Sequence, residues 1–227
     1  MKINYNQFFK LAKDKGIEES ELKYTSNSSF ECSIFSHDID SYSASSTSSL
    51  TARGIYNNVM GFSTTNDINK ESFDYLVNSI IESSKYIEKN DDTIIFKGSK
   101  KYKKVHTFNK DLENISKDEK IKKLFDIENK LYEFDSRIQN VIVGYSENSK
   151  ESQIANSYGL KLKSKTNYYQ IYAQVTAKDN GQVVSEGDMF IDNDFSKFDI
   201  DKWCDKLASK AIKKLNPIQV KSGKYKV

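Results

Sequence analysis

The stretch Arg53-Gly54-Ile55-Tyr56-Asn57-Asn58-Val59-Met60-Gly61-Phe62-Ser63-Thr64-Thr65-Asn66-Asp67 decides the fold. A strand ending at Ile55-Tyr56, a two-residue reversal at Asn57-Asn58 and a returning strand through Met60-Gly61-Phe62 follow from the tolerance of asparagine for positive φ in short hairpin turns. An amphipathic helix pattern comes next. Asn69 reads as its cap, and Phe73, Leu76, Val77, Ile80, Ile81 and Ile87 form an apolar stripe that ends near Asn90.

Upstream, Phe8, Leu11 and Ala12 stand at helical spacing before Gly16, a C-terminal stop. From Glu21 to Phe62 the pattern alternates, which predicts three or four antiparallel strands. The serine-rich stretch Ser41 to Thr51 reads as a solvent-facing strand pair with a reversal inside it. Downstream, Ser116-Lys117-Asp118-Glu119 matches a capping box for a helix carrying Ile121, Leu124, Phe125, Ile127, Glu128, Leu131 and Phe134. A second β block begins at Ile138, turns at Asn156 to Gly159, and contains a hairpin reversed at Asp179-Asn180-Gly181. Asp199 caps a last helix that Pro217 ends, and a final strand is expected from Ile218 to Val227. The expected class is α+β, with antiparallel sheets, about four packed helices and a duplicated strands-then-helix unit. One domain over 1–227 is expected, with candidate sub-units at 1–90 and 115–227.

Composition narrows the function classes. Charged residues are 30% and apolar ones 37%, which describes a globular protein with a polar surface. No apolar run reaches the ~20 residues that a membrane-spanning helix needs, and the first residues lack the apolar core of a signal peptide, so a cytoplasmic protein is expected. The net charge of +3 arises from 35 basic and 32 acidic residues that interleave, unlike the footprint of a nucleic-acid binder. Lys97, Lys100, Lys101, Lys103 and Lys104 form a local basic excess, read as a solvated loop. Cys32 and Cys204 read as reduced, buried thiols.

The chain carries no His-Glu-x-x-His, no Cys-x-x-Cys, no nucleophile elbow and no phosphate-binding glycine loop. His37 and His106 stand far apart and read as surface residues. No catalytic and no metal-ligating residue is assigned. Asn156-Ser157-Tyr158-Gly159 is a turn with Gly159 at positive φ, and Asn156 and Ser157 are candidate peptide-contact residues.

The Arg53 to Asp67 segment is similar to the N-terminal domain of the TldD/PmbA family, in which an Arg-rich strand, a short turn, a Gly-Phe-Ser-like strand and a long helix follow in this order. Asp135-Ser136-Arg137-Ile138, Ile154-Ala155-Asn156-Ser157-Tyr158-Gly159-Leu160 and Ser222-Gly223-Lys224-Tyr225-Lys226-Val227 fall where the family has similar words. The resemblance spans about 20–227 and is nearest the PmbA (TldE) branch. Its motif positions here are Arg53, Gly54, Gly61, Asn156, Ser157, Gly159, Ser222 and Gly223, read as structural.

The resemblance implies the N-terminal portion of a non-catalytic PmbA/TldE-like subunit in a cytoplasmic zinc metallopeptidase complex. Such a subunit helps form the peptide-binding cleft and the subunit interface. It implies a TldD-type partner or a second copy of the chain, peptide substrates, and zinc in the TldD-type partner only. The family's C-terminal domain, which holds the metal motif in TldD-type chains, is expected to be absent here, so no independent proteolysis is expected. An older family label, modulator of DNA gyrase, raises direct DNA binding, which the balanced charge disfavours. The alternative from another class is a stand-alone peptide- or protein-binding module that uses the edge of the Tyr168 to Ile191 hairpin.

Overall fold

A computed structural model describes residues 3–87, 94–217 and 221–226. Helix α1 (Tyr5–Asp14) is capped by Asn4, whose side chain accepts from the Gln7 amide, and it stops before Gly16 at φ 84°. Three strands follow, β1 (Glu19–Phe35), β2 (Asp38–Tyr56) and β3 (Val59–Thr65), then helices α2 (Ser72–Ser84), α3 (Lys110–Asn114) and α4 (Lys117–Phe134). Strands β4 (Ile138–Asn156), β5 (Lys161–Asp179) and β6 (Gln182–Asp192) precede helix α5 (Ile200–Lys214). The six strands form one antiparallel sheet in the order β3-β2-β1-β4-β5-β6. This is the α+β class expected from the sequence. Among the described residues the α-helices number five, because Asn109 accepts the Asp111 amide at 2.9 Å and starts the short α3.

The chain divides into two compact units that interleave. The first is Met1–Ser28, Ser45–Phe108 and Ser149–Asn167, and the second is Ser29–Ala44, Asn109–Asn148 and Tyr168–Val227. The sub-units expected at 1–90 and 115–227 are thus exchanged at two places: 29–44 joins the second unit and 149–167 the first.

The core of unit 1 is built from Phe8 and Ala12 of α1, Leu22, Leu50 and Ala52 of the sheet, and Leu76, Val77 and Ile80 of α2. The α2 residues share one face because they recur at three- and four-residue spacing. That helix lies against β3 at Gly61, where an added Cβ would come 2.0 Å from the Ile80 carbonyl oxygen. Gly54 is crowded in the same way, with Ile17 Cγ2 at 2.6 Å from a would-be Cβ. The Asn57-Asn58 reversal takes φ values of 50° and 61°, as expected of a two-residue hairpin turn.

In unit 2, Val141, Val143 and Tyr145 of β4 and Tyr169, Ile171, Ala173, Val175 and Ala177 of β5 point to one side of the sheet and are buried. Leu124, Ile127 and Leu131 of α4 and Trp203, Leu207, Ala208 and Ala211 of α5 join them in the core. Ser116 caps α4 as expected, its hydroxyl accepting the Glu119 amide at 3.1 Å, and Asp199 likewise accepts the Lys202 amide at 3.1 Å. Asn180 and Gly181, at φ 47° and 85°, reverse the chain between β5 and β6.

Several expectations are corrected. The serine-rich stretch contains no reversal: β2 runs unbroken from Asp38 to Tyr56, and the chain turns earlier, at Ser36 and His37 with φ of 51° and 61°. The turn holds because the buried Glu128 carboxylate accepts the His37 amide at 3.1 Å. Helix α2 begins later than Asn69, which instead accepts the Glu71 amide at 2.8 Å, and ends at Ser84, leaving Ile87 exposed. Residues 221–226, part of the expected final strand, have no regular structure, and the rest of that strand lies outside the described residues.

Cys32 and Cys204 are free and buried. Burial pushes the Cys204 thiol up to about 12 and also raises that of Cys32. Neither thiol should react with an aromatic disulfide reagent in the native protein, and both should react once it is unfolded. Native-state labelling of Cys204 at the unfolded rate would contradict the packing of α5.

Asp135 makes a second solution prediction. Its carboxylate takes the Arg137 guanidinium at 2.7 and 2.9 Å and the Arg137 amide at 2.9 Å, and these bonds lower it to about 2. A carboxylate depressed in the folded state stabilises above its unfolded pKa of about 4 and ceases to do so as pH falls towards 2. Asp135→Asn should therefore flatten the fall in stability between about pH 4 and 2 relative to the parent protein. Parallel acid-unfolding curves in urea would refute it.

Candidate functional site

Two local constellations bear on function, one in each unit. In unit 1 the β4–β5 turn is organised by Asn156, which is 2% exposed. Its Oδ1 accepts from the amides of Tyr158 at 3.0 Å and Leu160 at 3.1 Å, and its Nδ2 donates to the Phe96 carbonyl at 2.7 Å. Ser157 bonds Ser20 in both directions: its amide donates to the Ser20 carbonyl at 2.8 Å, and its hydroxyl accepts the Ser20 amide at 3.1 Å. The Tyr158 hydroxyl donates to Glu19, whose other oxygen accepts the Ile95 amide at 3.2 Å. Those bonds, that from Tyr158 foremost, hold the Glu19 carboxyl below its usual range. Asn156 and Ser157 thus use their polar atoms to hold the turn. Gly159 sits at φ 91°, as expected, with open space around its α-carbon.

The remaining motif positions are dispersed. Arg53 Nε donates to Glu21 at 2.8 Å, and Glu21 is nearly buried, so this pair ties β2 to β1. Gly54 and Gly61 are the close approaches described above. Ser222 and Gly223 are exposed in the irregular C-terminal segment.

In unit 2 the sheet face opposite α4 and α5 is open. Glu31, Ser33, Ser41, Gly144, Ser146 and Gln170 line a shallow depression of about 250 Å³ there, with Tyr172 at its side. Nothing lies within 4 Å of where a Gly144 Cβ would stand. Cross-strand register sets Tyr172 opposite Met189 and Gln170 opposite Ile191, and both β6 side chains are about half exposed. The floor is small and polar, and its flank is aromatic and aliphatic. Such a face can receive an extended chain through hydrogen bonds at the floor and apolar contacts at the flank.

The zinc that the resemblance implies for the family finds no set of ligands among the described residues. Among the described residues no three His, Cys, Asp or Glu side chains converge. His37 Nδ1 lies 3.3 Å from buried Glu128, and its ring packs on Tyr132, while His106 is exposed elsewhere. These residues do not fit the metal, so no step of chemistry is derived through it.

Sequence reading missed the buried ion pair of unit 2. Lys120 Nζ stands 2.6 Å from Glu147, which also accepts the Tyr145 hydroxyl at 2.5 Å. The only signal is that Lys120 falls one helical turn before Leu124 on the buried stripe of α4.

Together these features define a two-unit antiparallel α+β protein with one open, polar sheet face. The description "PmbA/TldA metallopeptidase domain 1" matches residues 20–84, and "PmbA/TldA metallopeptidase central domain" matches 110–215. The chain belongs to the TldD/PmbA family. No curated protein matches it in sequence.

Solved structures share the fold, three of them as follows. A candidate modulator of a DNA gyrase from Thermotoga maritima is 19% identical with a TM-score of 0.83, over 96% of this chain and 49% of that one. A candidate modulator of DNA gyrase from Bacteroides thetaiotaomicron is 18% identical with a TM-score of 0.81, over 99% and 53%. TldE from Thermococcus kodakarensis is 16% identical with a TM-score of 0.78, over 92% and 47%. The chain spans about half the length of these structures, and at such identities the likeness is one of fold.

Proposed function

We propose that the chain is the N-terminal portion of a PmbA/TldE-like, non-catalytic subunit of a cytoplasmic TldD/PmbA-type zinc metallopeptidase complex. It contributes a wall of the peptide-binding cleft and part of the subunit interface, while a TldD-type partner supplies the zinc and the hydrolytic chemistry. The observation that carries this reading is the ordered match to both family domains, 20–84 and then 110–215. The fold shared with TldE and the open face around Gly144 support it.

Co-expression with a TldD-type subunit, followed by size-exclusion chromatography, zinc analysis and a peptide-cleavage assay, tests it. A mixed complex that holds zinc and cleaves peptide is the expected result. Two separate peaks, with this chain in the metal-free one, would refute the subunit reading.

A second reading, a binding module acting alone, is favoured by β6, which lies at the end of the strand order and bonds only β5 among the described strands. An edge strand presents main-chain groups to which an extended peptide can add. Capture of unstructured peptides by the chain without any partner would favour it.

A further inference from the structure

Two of the stretches of sequence that contain no acidic residue meet in unit 1. The first, 94–110, carries Lys97, Lys100, Lys101, Lys103 and Lys104 at its centre, and the second, 152–178, carries Lys161, Lys163 and Lys165. Far apart along the chain, 97–108 and 158–167 lie side by side in unit 1. At one end Lys97 Nζ stands 4.8 Å from the centre of the Tyr158 ring, and Leu160 Cδ1 is 3.2 Å from a would-be Cβ on Gly98. At the other end the Asn167 amide donates to the Thr107 carbonyl at 3.0 Å, the Thr107 hydroxyl donates to the Lys165 carbonyl at 3.2 Å, and Lys165 Nζ sits 3.8 Å over the Phe108 ring. The segment 97–108 therefore runs alongside 158–167 in the same direction. Lys100, Lys101, Lys103, Lys104, Lys161 and Lys163 are all exposed along this path.

Among the described residues, two carboxylates near the strip are already engaged. Glu151 is paired with Lys163 at 2.9 Å, and Glu19 is held by Tyr158 and the Ile95 amide. The strip thus carries a local lysine surplus within a chain of net charge +3.

We propose that this strip docks an extended acidic polypeptide segment. Lysines at alternate positions of a strand repeat about every 6.8 Å, which is also the repeat of every second side chain in an extended partner. Clustered ammonium groups attract such a partner over a Debye length and suit a salt-sensitive contact. Single-stranded nucleic acid fits less well. Lys97 and Lys165 cover one face each of the Tyr158 and Phe108 rings, although Phe96 and Tyr102 stay about half exposed. The strip also lacks arginine, the residue suited to bidentate phosphate contacts. Docking here does not depend on the metallopeptidase reading, because it is tested on this chain alone.

Fluorescence anisotropy of the full chain with a labelled, alternating Glu/Ser peptide of roughly 15 residues is the test, with an alternating Lys/Ser peptide and an oligo-dT of similar length beside it. Binding should be confined to the acidic peptide and weaken about tenfold between low and physiological salt. Lys100→Gln, Lys101→Gln, Lys103→Gln and Lys104→Gln combined should weaken it at least about tenfold, whereas Lys122→Gln, Lys202→Gln, Lys210→Gln and Lys213→Gln, exposed residues of unit 2, should change it less than about twofold. Equal losses in the two quadruple variants would reduce the effect to net charge and overturn the proposal. Oligo-dT binding as tightly as the acidic peptide, or no binding of the acidic peptide at low salt, would do so as well.

Discussion

Gly61→Ala lowers the stability of the protein by about 3 kcal/mol. The methyl group would meet the Ile80 carbonyl oxygen at 2.0 Å and its carbon at 2.9 Å. Both atoms belong to the backbone of α2, so relief requires the helix to lift from β3, and Leu76, Val77 and Ile80 move with it. The sign is diagnostic, because alanine in an uncrowded strand is more favourable than glycine by about 0.5–1 kcal/mol. Phe62→Ala, one position along on the exposed face, should cost less than about 1 kcal/mol. Urea unfolding followed by circular dichroism separates the two, and a Gly61→Ala protein as stable as the parent would mean that α2 does not lie on β3 in this way.

Lys120→Ala should destabilise the protein by about 3 kcal/mol through a different cause. Lys120 and Glu147 are both largely withdrawn from water, and removing the ammonium leaves the carboxylate bonded to the Tyr145 hydroxyl without its counter-charge. Burial, reinforced by that bond to Glu147, raises the Tyr145 hydroxyl far above its ordinary pKa, so it stays a donor throughout the working pH range. Replacing both charged partners by apolar side chains, Lys120→Met with Glu147→Leu, should cost much less than the sum of the single changes, because no buried charge is left unpaired. A double-mutant cycle measures this directly. Costs that add within about 0.5 kcal/mol would show the pair to be uncoupled.

The parts of the fold legible in the sequence are those governed by local chemistry. Asn57-Asn58 and Asn180-Gly181 announce hairpins because few residues accept positive φ, and Ser116 and Asp199 announce helix starts because their side chains cap exposed amides. The Ser36-His37 turn lacks the Asn-Gly or Asp-Gly pair that marks a two-residue hairpin in sequence. What fixes it is a carboxylate distant in sequence, on α4. The serine-rich strand was misread for a related reason: residues 38–47 are exposed on both faces, so no alternation marks their period.

The candidate sites divide along the same line. The Asn156 turn was visible as a motif, but its bonds to Ser20 and Phe96 come from remote segments and could not be read from it. The open face around Gly144 depends on which side of β4 and β5 the helices cover, and the lysine strip depends on the path of 97–108. Both are tertiary facts that single-sequence periodicity does not encode.

The interleaving of the two units has a consequence for how this protein can be divided. Each unit is assembled from three separated stretches, and each of β1, β2, β4 and β5 passes from one unit to the other partway along its length. No single cut in the gene yields an intact half: a break between α2 and α3 would deprive the first unit of 149–167 and the second of 29–44. Recombination, truncation and limited proteolysis must therefore treat the pair as one heritable module, even though its two cores are separate.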